Sequence, residues 1–269
     1  MALKEQFESE GFVVVPGVLS PEEVRDFQAA CDEVIRMAEA NPTDVFSNYY
    51  LPHRTDQGAL YDVYQRHPAF RKATDNPKIL DAVKNVYAEE FYLFENSLVY
   101  KPKDADNEVP WHQDYMYMTD DPDKVIAWVA VDDVTEENGC MYAIPGSHKR
   151  GALPFFQETG QTHAKRTERE HIDEKSARPL LLKAGDLLLF HQFLLHSSRR
   201  VPGTIQRRAY RFALKSISNS YTPRATPIVL SRRADGALLT PYRDDRKNSL
   251  LARMGRKIQG LGRRIERIG

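Results

Sequence analysis

The sequence has little cysteine and no excess of charge of either sign. Only Cys31 and Cys140 occur among its 269 residues, and two thiols cannot by themselves complete a zinc site or a disulfide framework. Lysine plus arginine and aspartate plus glutamate both number 38, so no global field attracts nucleic acid. Zinc-finger, disulfide-rich and nucleic-acid-binding classes are therefore not expected.

Long apolar segments are also missing. The first residues, MALKEQFESEGF, are polar where a secretory signal has an apolar core. Histidine and glutamine interrupt the longest apolar run, LLLFHQFLL, which is too short for a transmembrane helix. Because 41% hydrophobic and 28% charged residues are ordinary for a folded domain, we predict a cytoplasmic protein without an integral membrane segment.

Helix signals occur in the N-terminal third. Ser20-Pro21-Glu22-Glu23 is a capping box with proline at the first helical position, which predicts a helix from about 21 to 40. Asn76-Pro77 begins a second predicted helix that extends to about Tyr87. The segment 41–75 between them is irregular, and its length is typical of a lid or binding loop.

From residue 91 the pattern changes to short strands. Seven runs have β character: FYLFENSLVY, VPWHQDYMYM, VIAWVAVDDV, GCMYAI, PLLLKA, DLLLFHQ and RRAYRFALKSI. Residues 137–139 and 184–186 have the chemistry of hairpin turns, and the polar segment 152–177 is predicted to be an insertion loop. We predict a mainly β protein, a jelly roll of two sheets with its core at about 91–217 and helices packed outside.

The tail has a different pattern. From 248 to 269, apolar residues recur at three- and four-residue spacing, and arginine and lysine occupy much of the rest. This predicts a basic amphipathic helix after a single domain of residues 1–247. Such a helix can dock on the domain, on a second subunit or on a membrane surface, and the spacing leaves the three possibilities open.

His112 and Asp114 predict a metal site. Side chains two apart on a strand share a face, so both can reach one ion while Gln113 points away. His196, near the end of a later strand, is a candidate third ligand, and His191 on the same apolar run is its rival. Two imidazoles and one carboxylate leave three positions open, as in non-haem Fe(II) oxygenases. In such enzymes 2-oxoglutarate takes two of these positions and dioxygen takes one.

Two arginines follow the apolar run that contains His196, and either of them can bind the co-substrate. Arg207 lies eleven positions after His196, and either its guanidinium or that of Arg208 can bind the distal carboxylate of 2-oxoglutarate. Arg207 shares a strand face with Ala209 and Ala213, whose small side chains leave room for a co-substrate. This favours Arg207, although strand alternation alone does not decide between the two.

Long ordered segments are similar to a known family. WHQDYMYM, AWVAVDDVTEENGCMYAIPGSHKRG and GDLLLFHQFLLHSS followed by RRA resemble the phytanoyl-CoA dioxygenase-like family of 2-oxoglutarate oxygenases. The resemblance runs from EGFVVVPGVLSPEEV to about residue 217 and implies a double-stranded β-helix that uses Fe(II), 2-oxoglutarate and dioxygen. It implies iron ligands at His112, Asp114 and His196, and 2-oxoglutarate contacts at Arg207, Ser198, Trp128 and Ser97. It selects His196 over His191 because the family's ligand precedes Ser-Ser.

The resemblance also implies a reaction class. We expect hydroxylation of an unactivated C–H bond of a small molecule, lipid-like, anionic or a natural product, with release of succinate and CO2. Related halogenases have a small residue in place of the carboxylate, so Asp114 favours hydroxylation over halogenation. The alternatives are desaturation or ring oxidation, a jelly roll that binds a ligand without turnover or uses another metal such as zinc, and an interaction protein that works through its basic tail. Candidates to line the substrate pocket are Tyr49, Tyr50, Arg54, Met116 and Arg211.

Overall fold

The computed structural model describes residues 2–40, 58–101, 107–117, 124–159, 163–201 and 206–217, and the backbone of 228–231. Within these residues there are five α-helices: α1 Leu3–Glu10, α2 Pro21–Ala40, α3 Val63–Arg66, α4 Pro68–Thr74 and α5 Pro77–Val86. There are also thirteen strands: β1 Phe12–Val15, β2 Ala59–Tyr61, β3 Phe91–Tyr100, β4 Val109–His112, β5 Val125–Ala130, β6 Met141–Ala143, β7 Phe155–Gln157, β8 Lys165–Thr167, β9 Arg178–Leu180, β10 Leu187–His191, β11 His196–Ser198, β12 Arg208–Ser216 and β13 Ile228–Ser231.

Both predicted helices are confirmed, and local capping explains where they begin. At the start of α2, Glu23 N donates to Ser20 Oγ (3.2 Å) and Ser20 N donates to Glu23 Oε2 (2.9 Å). At the start of α5, Lys78 N donates to Asn76 Oδ1 (2.9 Å). Between the two helices, the described residues 58–75 contain β2, α3 and α4, so the prediction of an irregular segment is wrong there.

Two antiparallel sheets form the jelly roll that the sequence predicts. The larger has the order β1-β10-β5-β12-β3-β13, with β2 also paired to β3, and the smaller has the order β4-β11-β6-β9. The chain crosses between the sheets from β5 to β6 and from β9 to β10. The turns at 137–139 and 184–186 therefore join different sheets, and the hairpins predicted there are wrong. The segment 152–177 is not only a loop, because β7 pairs with β8 within it.

Strand alternation gives the larger sheet two different faces. The outer face packs under the helices, where the Tyr210 ring lies with its centroid 5.0 Å from that of Phe70. The inner face, between the sheets, contains Trp128, Ala209 and Ala213. The parity of a residue on β12 therefore decides whether its side chain faces the helices or the interior of the roll.

The predicted domain limit at 247 and the predicted C-terminal helix of 248–269 lie outside the described residues. Among the helices that the structure does describe, none is long and apolar enough to cross a membrane.

Candidate metal centre

The three predicted metal ligands converge between the sheets. His112 ends β4 and His196 begins β11, where the two residues are register partners and their ring centroids are 4.2 Å apart. Asp114 Oδ1 lies 3.5 Å from His112 Nε2 and 3.7 Å from His196 Nε2, and all three side chains are buried. Ligand atoms at about 2.1 Å from one ion in adjacent positions are about 3 Å apart, so a small contraction lets this cluster hold a metal ion.

Asp114 reaches the cluster from a turn and not from a strand. β4 ends at His112, and Asp114 begins a 3-10 turn of residues Asp114–Tyr117. The strand predicted through this motif is therefore wrong beyond His112, and strand alternation does not explain how the two side chains meet. The change to a tight turn brings the short aspartate side chain back towards the histidine.

Gln113 points away from the cluster and braces this turn. Its side chain is fully buried, and Nε2 donates to the carbonyl oxygens of Gly151 (2.9 Å) and Phe193 (2.7 Å). Its Oε1 accepts from Leu153 N at 2.9 Å. One side chain thus links the turn that holds Asp114 to the loop that leads into β11, which limits how far the ligands can move apart.

Backbone carbonyls set the tautomer of both histidines. His112 Nδ1 lies 2.8 Å from Pro110 O, and His196 Nδ1 lies 2.9 Å from Leu194 O. Because a carbonyl only accepts, each Nδ1 holds the proton and each Nε2 presents its lone pair towards Asp114. Burial, followed by the neighbouring His112, lowers the pKa of His196 to about 3, so this imidazole is neutral at pH 7.

Asp114 is ionised and has a cation behind it. Burial alone raises the pKa of its carboxyl group, but the neighbouring Arg211 guanidinium is the largest opposing influence, and that pKa lies well below its usual range. Arg211 Nη2 donates to Asp114 Oδ2 at 2.6 Å, and Nη1 donates to Glu95 Oε1 at 2.8 Å. The sequence suggested Arg211 only as a pocket residue, since no local pattern links it to Asp114.

His191, the rival ligand, faces another part of the molecule. Its ring centroid lies 6.3 Å from that of Phe7 and 5.3 Å from that of His148. Its Nδ1 accepts from Phe193 N at 3.0 Å. Although His191 and His196 belong to one apolar run, the structure brings only His196 to Asp114.

Arg207 and Arg208 have opposite surroundings. Arg208 is neutralised, with Nη2 at 2.7 Å from Asp132 Oδ1 and Nη1 at 2.5 Å from Asp32 Oδ1. Arg207 is buried with Cζ 5.6 Å from the centroid of the Trp128 ring, and among the described residues it forms no ion pair and its Nε has no hydrogen-bond partner. Burial lowers the pKa of Arg207 to about 10, so it stays charged at pH 7. A buried unpaired cation is costly unless an anion joins it.

Trp128 and Ser97 lie at one level of the inner face, and Ser198 lies on the smaller sheet. Arg211 is the register partner of Trp128 on β5 and of Ser97 on β3. Ser198 is buried and its hydroxyl donates to Gly139 O at 2.9 Å. Because that proton is already used, Ser198 must rotate before it can donate to a bound carboxylate.

An aromatic and cationic wall adjoins the cluster, and the sequence did not reveal it. The Tyr117 ring is 46% exposed, and its centroid lies 5.9 Å from that of His112. Lys165 Nζ lies 5.6 Å from the centroid of Tyr117 and 5.3 Å from that of Phe155, and it donates to Met116 O. Met116 itself is fully buried and does not line a pocket. The other suggested lining residues, Tyr49, Tyr50 and Arg54, lie outside the described residues.

Residues 7–209 match the family model described as phytanoyl-CoA dioxygenase (PhyH). The chain belongs to this family. Members of this family are non-haem oxygenases that depend on iron and 2-oxoglutarate, and this activity class and its cofactors, Fe(II), 2-oxoglutarate and dioxygen, apply to the chain.

Individual relatives are distant but similar over most of their length. A phytanoyl-CoA dioxygenase of Arabidopsis thaliana is 23% identical over 238 residues, which cover 76% of this chain and 84% of the relative. The solved apo structure of ThoJ, described as a non-heme monooxygenase, is 25% identical with a TM-score of 0.72 and covers 99% of this chain and 97% of its own. The epimerase SnoN, solved with Fe3+, alpha ketoglutarate and nogalamycin RO, is 23% identical with a TM-score of 0.62 over 90% of this chain and 92% of its own. At that identity the likeness to SnoN shows the fold alone.

Proposed function

We propose that this protein is an Fe(II)- and 2-oxoglutarate-dependent hydroxylase of a small molecule. In this proposal His112, Asp114 and His196 hold the iron and Arg207 binds the distal carboxylate of 2-oxoglutarate. One observation carries it: a buried ligand cluster lies in the same roll as a buried arginine that has no acidic partner among the described residues. Neither a structural ion pair nor an ordinary core requires that combination.

The chain's residues bind and orient the reactants. When bound, iron with 2-oxoglutarate and dioxygen supplies the oxidising power, and 2-oxoglutarate leaves as succinate and CO2. His112 and His196 present Nε2 lone pairs, and Asp114 supplies a single negative charge. The planar fork of Arg207 matches a carboxylate with two parallel hydrogen bonds, and the Trp128 ring beneath it excludes water.

We assign three further residues to co-substrate binding on less direct evidence. Trp128 and Ser97 lie on the inner face near Arg207 and Arg211, and we assign them to the wall of the 2-oxoglutarate pocket. Ser198 joins them if its hydroxyl turns from Gly139 to the carboxylate. These assignments predict smaller losses of affinity than loss of the arginine.

Hydroxylation is the outcome that we assign to the site. Asp114 retains the carboxylate that halogenases replace with a small residue, and the neighbour ThoJ is described as a monooxygenase. The SnoN fold belongs to an epimerase, so fold alone does not determine the product. Hydroxylation makes a product that is one oxygen atom heavier than its substrate, whereas desaturation or ring closure makes one that is two hydrogens lighter. Mass spectrometry with isotopically labelled dioxygen separates these outcomes.

For the substrate we propose a small molecule with a negatively charged group beside an apolar part. Lys165 supports this class because its ammonium lies at the faces of Tyr117 and Phe155 and, among the described residues, forms no ion pair with an acid. Tyr117 lies next to His112, so an anion held at Lys165 brings its apolar part close to the metal ligands. Lipid-like acids and acidic natural products both fit this description.

The deciding experiment measures 2-oxoglutarate binding and turnover by protein that has been loaded with Fe(II) under anaerobic conditions. We expect metal-dependent binding of 2-oxoglutarate and oxygen-dependent release of succinate, which acidic small molecules stimulate. The Asp114→Ala variant is the inactive control. Absence of both binding and succinate release would contradict the oxygenase proposal and would favour a jelly roll that binds a ligand without turnover or uses another metal such as zinc.

Two further predictions concern location and the tail. We propose a cytoplasmic location, which cell fractionation with a tagged full-length chain tests.

We also propose that the basic helix predicted for 248–269 docks on the domain, on a second subunit or on a membrane surface. A chain ending at residue 247 is expected to retain 2-oxoglutarate turnover. Loss of cellular function with turnover intact would indicate that the protein acts through its tail.

A further inference from the structure

The two oxygen atoms of Asp114 have different surroundings. Oδ1 faces the Nε2 atoms of His112 and His196 at 3.5 and 3.7 Å, whereas Oδ2 accepts from Arg211 Nη2 at 2.6 Å. The Asp114 side chain is only 7% exposed and that of Arg211 only 19%. A short charge-assisted hydrogen bond in such surroundings is strong. One oxygen is therefore available to a metal ion and the other is not.

Arg211 is itself held in place by the larger sheet and by Glu95. Its Nη1 donates to Glu95 Oε1 at 2.8 Å, and the Glu95 side chain is 16% exposed. Glu95 is the register partner of Ala213, so Glu95 and Arg211 are diagonal neighbours on the inner face of adjacent strands. Because β12 is the neighbour of β3 within the larger sheet, this hydrogen bond joins two adjacent strands and fixes the direction of the guanidinium.

The ion pairs of Arg211 distinguish it from the arginine assigned to the co-substrate. Arg207 and Arg211 lie on the same face, four residues apart, which is roughly 13 Å along a strand. Arg211 is neutralised by two carboxylates, whereas Arg207 has no acidic partner among the described residues. A third anion at Arg211 would have to displace Asp114 or Glu95. Arg211 is therefore built to hold a protein carboxylate in position.

We infer that Arg211, anchored by Glu95, is a positioning residue that holds Asp114 as a one-oxygen ligand with Oδ1 already turned towards the two histidines. This inference rests on the proposed metal site. The guanidinium holds the carboxylate in one orientation before the ion arrives, so metal binding does not have to order it. It also keeps Oδ2 away from the metal, which leaves positions for other ligands.

The test is anaerobic titration of the full-length chain with Co(II) and with Fe(II), followed by absorption spectroscopy. Arg211→Gln is expected to weaken metal affinity by roughly 10- to 100-fold, the usual effect of losing a partner that orients a ligand. Glu95→Gln keeps the bond to Asp114 but removes the anchor, so we expect a smaller loss. Arg211→Lys is expected to recover part of the affinity, because it keeps the charge but not the planar fork.

Arg178→Gln is the matched control, since Arg178 forms an ion pair with Glu10 at 3.2 Å away from the cluster. The metal affinity of this variant should equal that of the parent. A folded Arg211→Gln protein with parental metal affinity would overturn the inference, and a change confined to the KM of a substrate would assign Arg211 to substrate binding instead. If Arg211→Gln does not fold, Glu95→Gln decides the question, and unchanged affinity there overturns the inference. Failure of the parent chain to bind metal would contradict the proposed function itself.

Discussion

His112 and His196 are register partners on neighbouring antiparallel strands, and their ring centroids are 4.2 Å apart. Both rings donate from Nδ1 to the carbonyl oxygen of the residue two positions earlier, so both Nε2 atoms point to the same place. The backbone therefore orients both rings of the proposed metal centre in advance, so little side-chain freedom would be lost on binding an ion. The proposed role of His196 can therefore be tested by comparison with His191, which lies on the same apolar run.

Replacement of His196 by alanine is expected to abolish binding of Fe(II) and of 2-oxoglutarate, because two remaining ligands cannot hold the ion. His191→Ala is the matched control from the same apolar run, since its ring packs against Phe7 and His148 away from the cluster. Metal content and Co(II) absorption spectra measure the effect. Loss of metal in His191→Ala with retention in His196→Ala would reverse the assignment.

Replacement of Arg207 by glutamine is expected to weaken 2-oxoglutarate binding by about 100-fold and to leave metal affinity unchanged, because hydrogen bonds to charged groups contribute about 1.5–3 kcal/mol each. Arg199→Gln is the control, since the Arg199 guanidinium stacks on Tyr142 with Cζ 4.1 Å from the ring centroid. Calorimetric titration of metal-loaded protein with 2-oxoglutarate measures both affinities. Equal 2-oxoglutarate affinities in the two variants would argue against Arg207 as the anchor.

Replacement of Lys165 by glutamine is expected to raise the KM for an anionic substrate by roughly tenfold, since one half-buried charge contact contributes about 1 kcal/mol or slightly more. The KM for 2-oxoglutarate should not change, because Lys165 contacts Tyr117 and Phe155 and not the arginine. Lys149→Gln, on an exposed part of the surface, serves as the charge-matched control. An unchanged substrate KM would contradict an anion site at Lys165.

Acidification is expected to destabilise the metal-free protein. Burial, then His112, lowers the pKa of His196 to about 3, and burial, then His148, lowers that of His191 to about 4. The unfolded chain protonates both imidazoles below about pH 6.5 while the folded chain does not, so stability is fully present above that pH and is lost as the pH falls towards the folded-state values. The expected loss by about pH 5 is roughly 1–2 kcal/mol per histidine.

Urea unfolding at about pH 7.5 and about pH 5 measures this loss through the change in the free energy of unfolding. His191→Gln removes one of the two titrating groups and should show a smaller difference between the two conditions. The same free energy of unfolding at both pH values in the parent would show that the histidines do not titrate in this way.

Replacement of Gln113 by leucine is expected to lower the free energy of unfolding by roughly 2–4 kcal/mol, because it leaves two half-buried carbonyls and one buried amide without their partner. It should also weaken metal binding, since the turn that holds Asp114 loses its brace. Gln157→Leu, at an exposed position, is the control and should change stability by less than about 0.5 kcal/mol. Parental stability in Gln113→Leu would contradict the bracing role.

Features that depend on neighbours in the chain could be read from the sequence. Ser20 and Asn76 begin helices because their side chains bond to backbone amides two or three residues away. The β runs from Phe91 onward are short and are separated by turns, which indicated a jelly roll of two sheets, and the resemblance of the long motifs selected His196. The family, the jelly-roll class and the candidate metal ligands therefore followed from local patterns.

Only the tertiary structure decided how these pieces meet. A glycine turn specifies a reversal of the chain but not which sheet comes next, so the turns at 137–139 and 184–186 cross between sheets where hairpins were predicted. Asp114 lies in a 3-10 turn and not in the strand that was predicted. Its partner Arg211 comes from the opposite sheet, and no local sequence pattern predicts the contact between them. Contacts between residues far apart in the chain depend on register and packing, which no short pattern encodes. The residues proposed to hold a metal could therefore be identified from the sequence, and the geometry that brings them together could not.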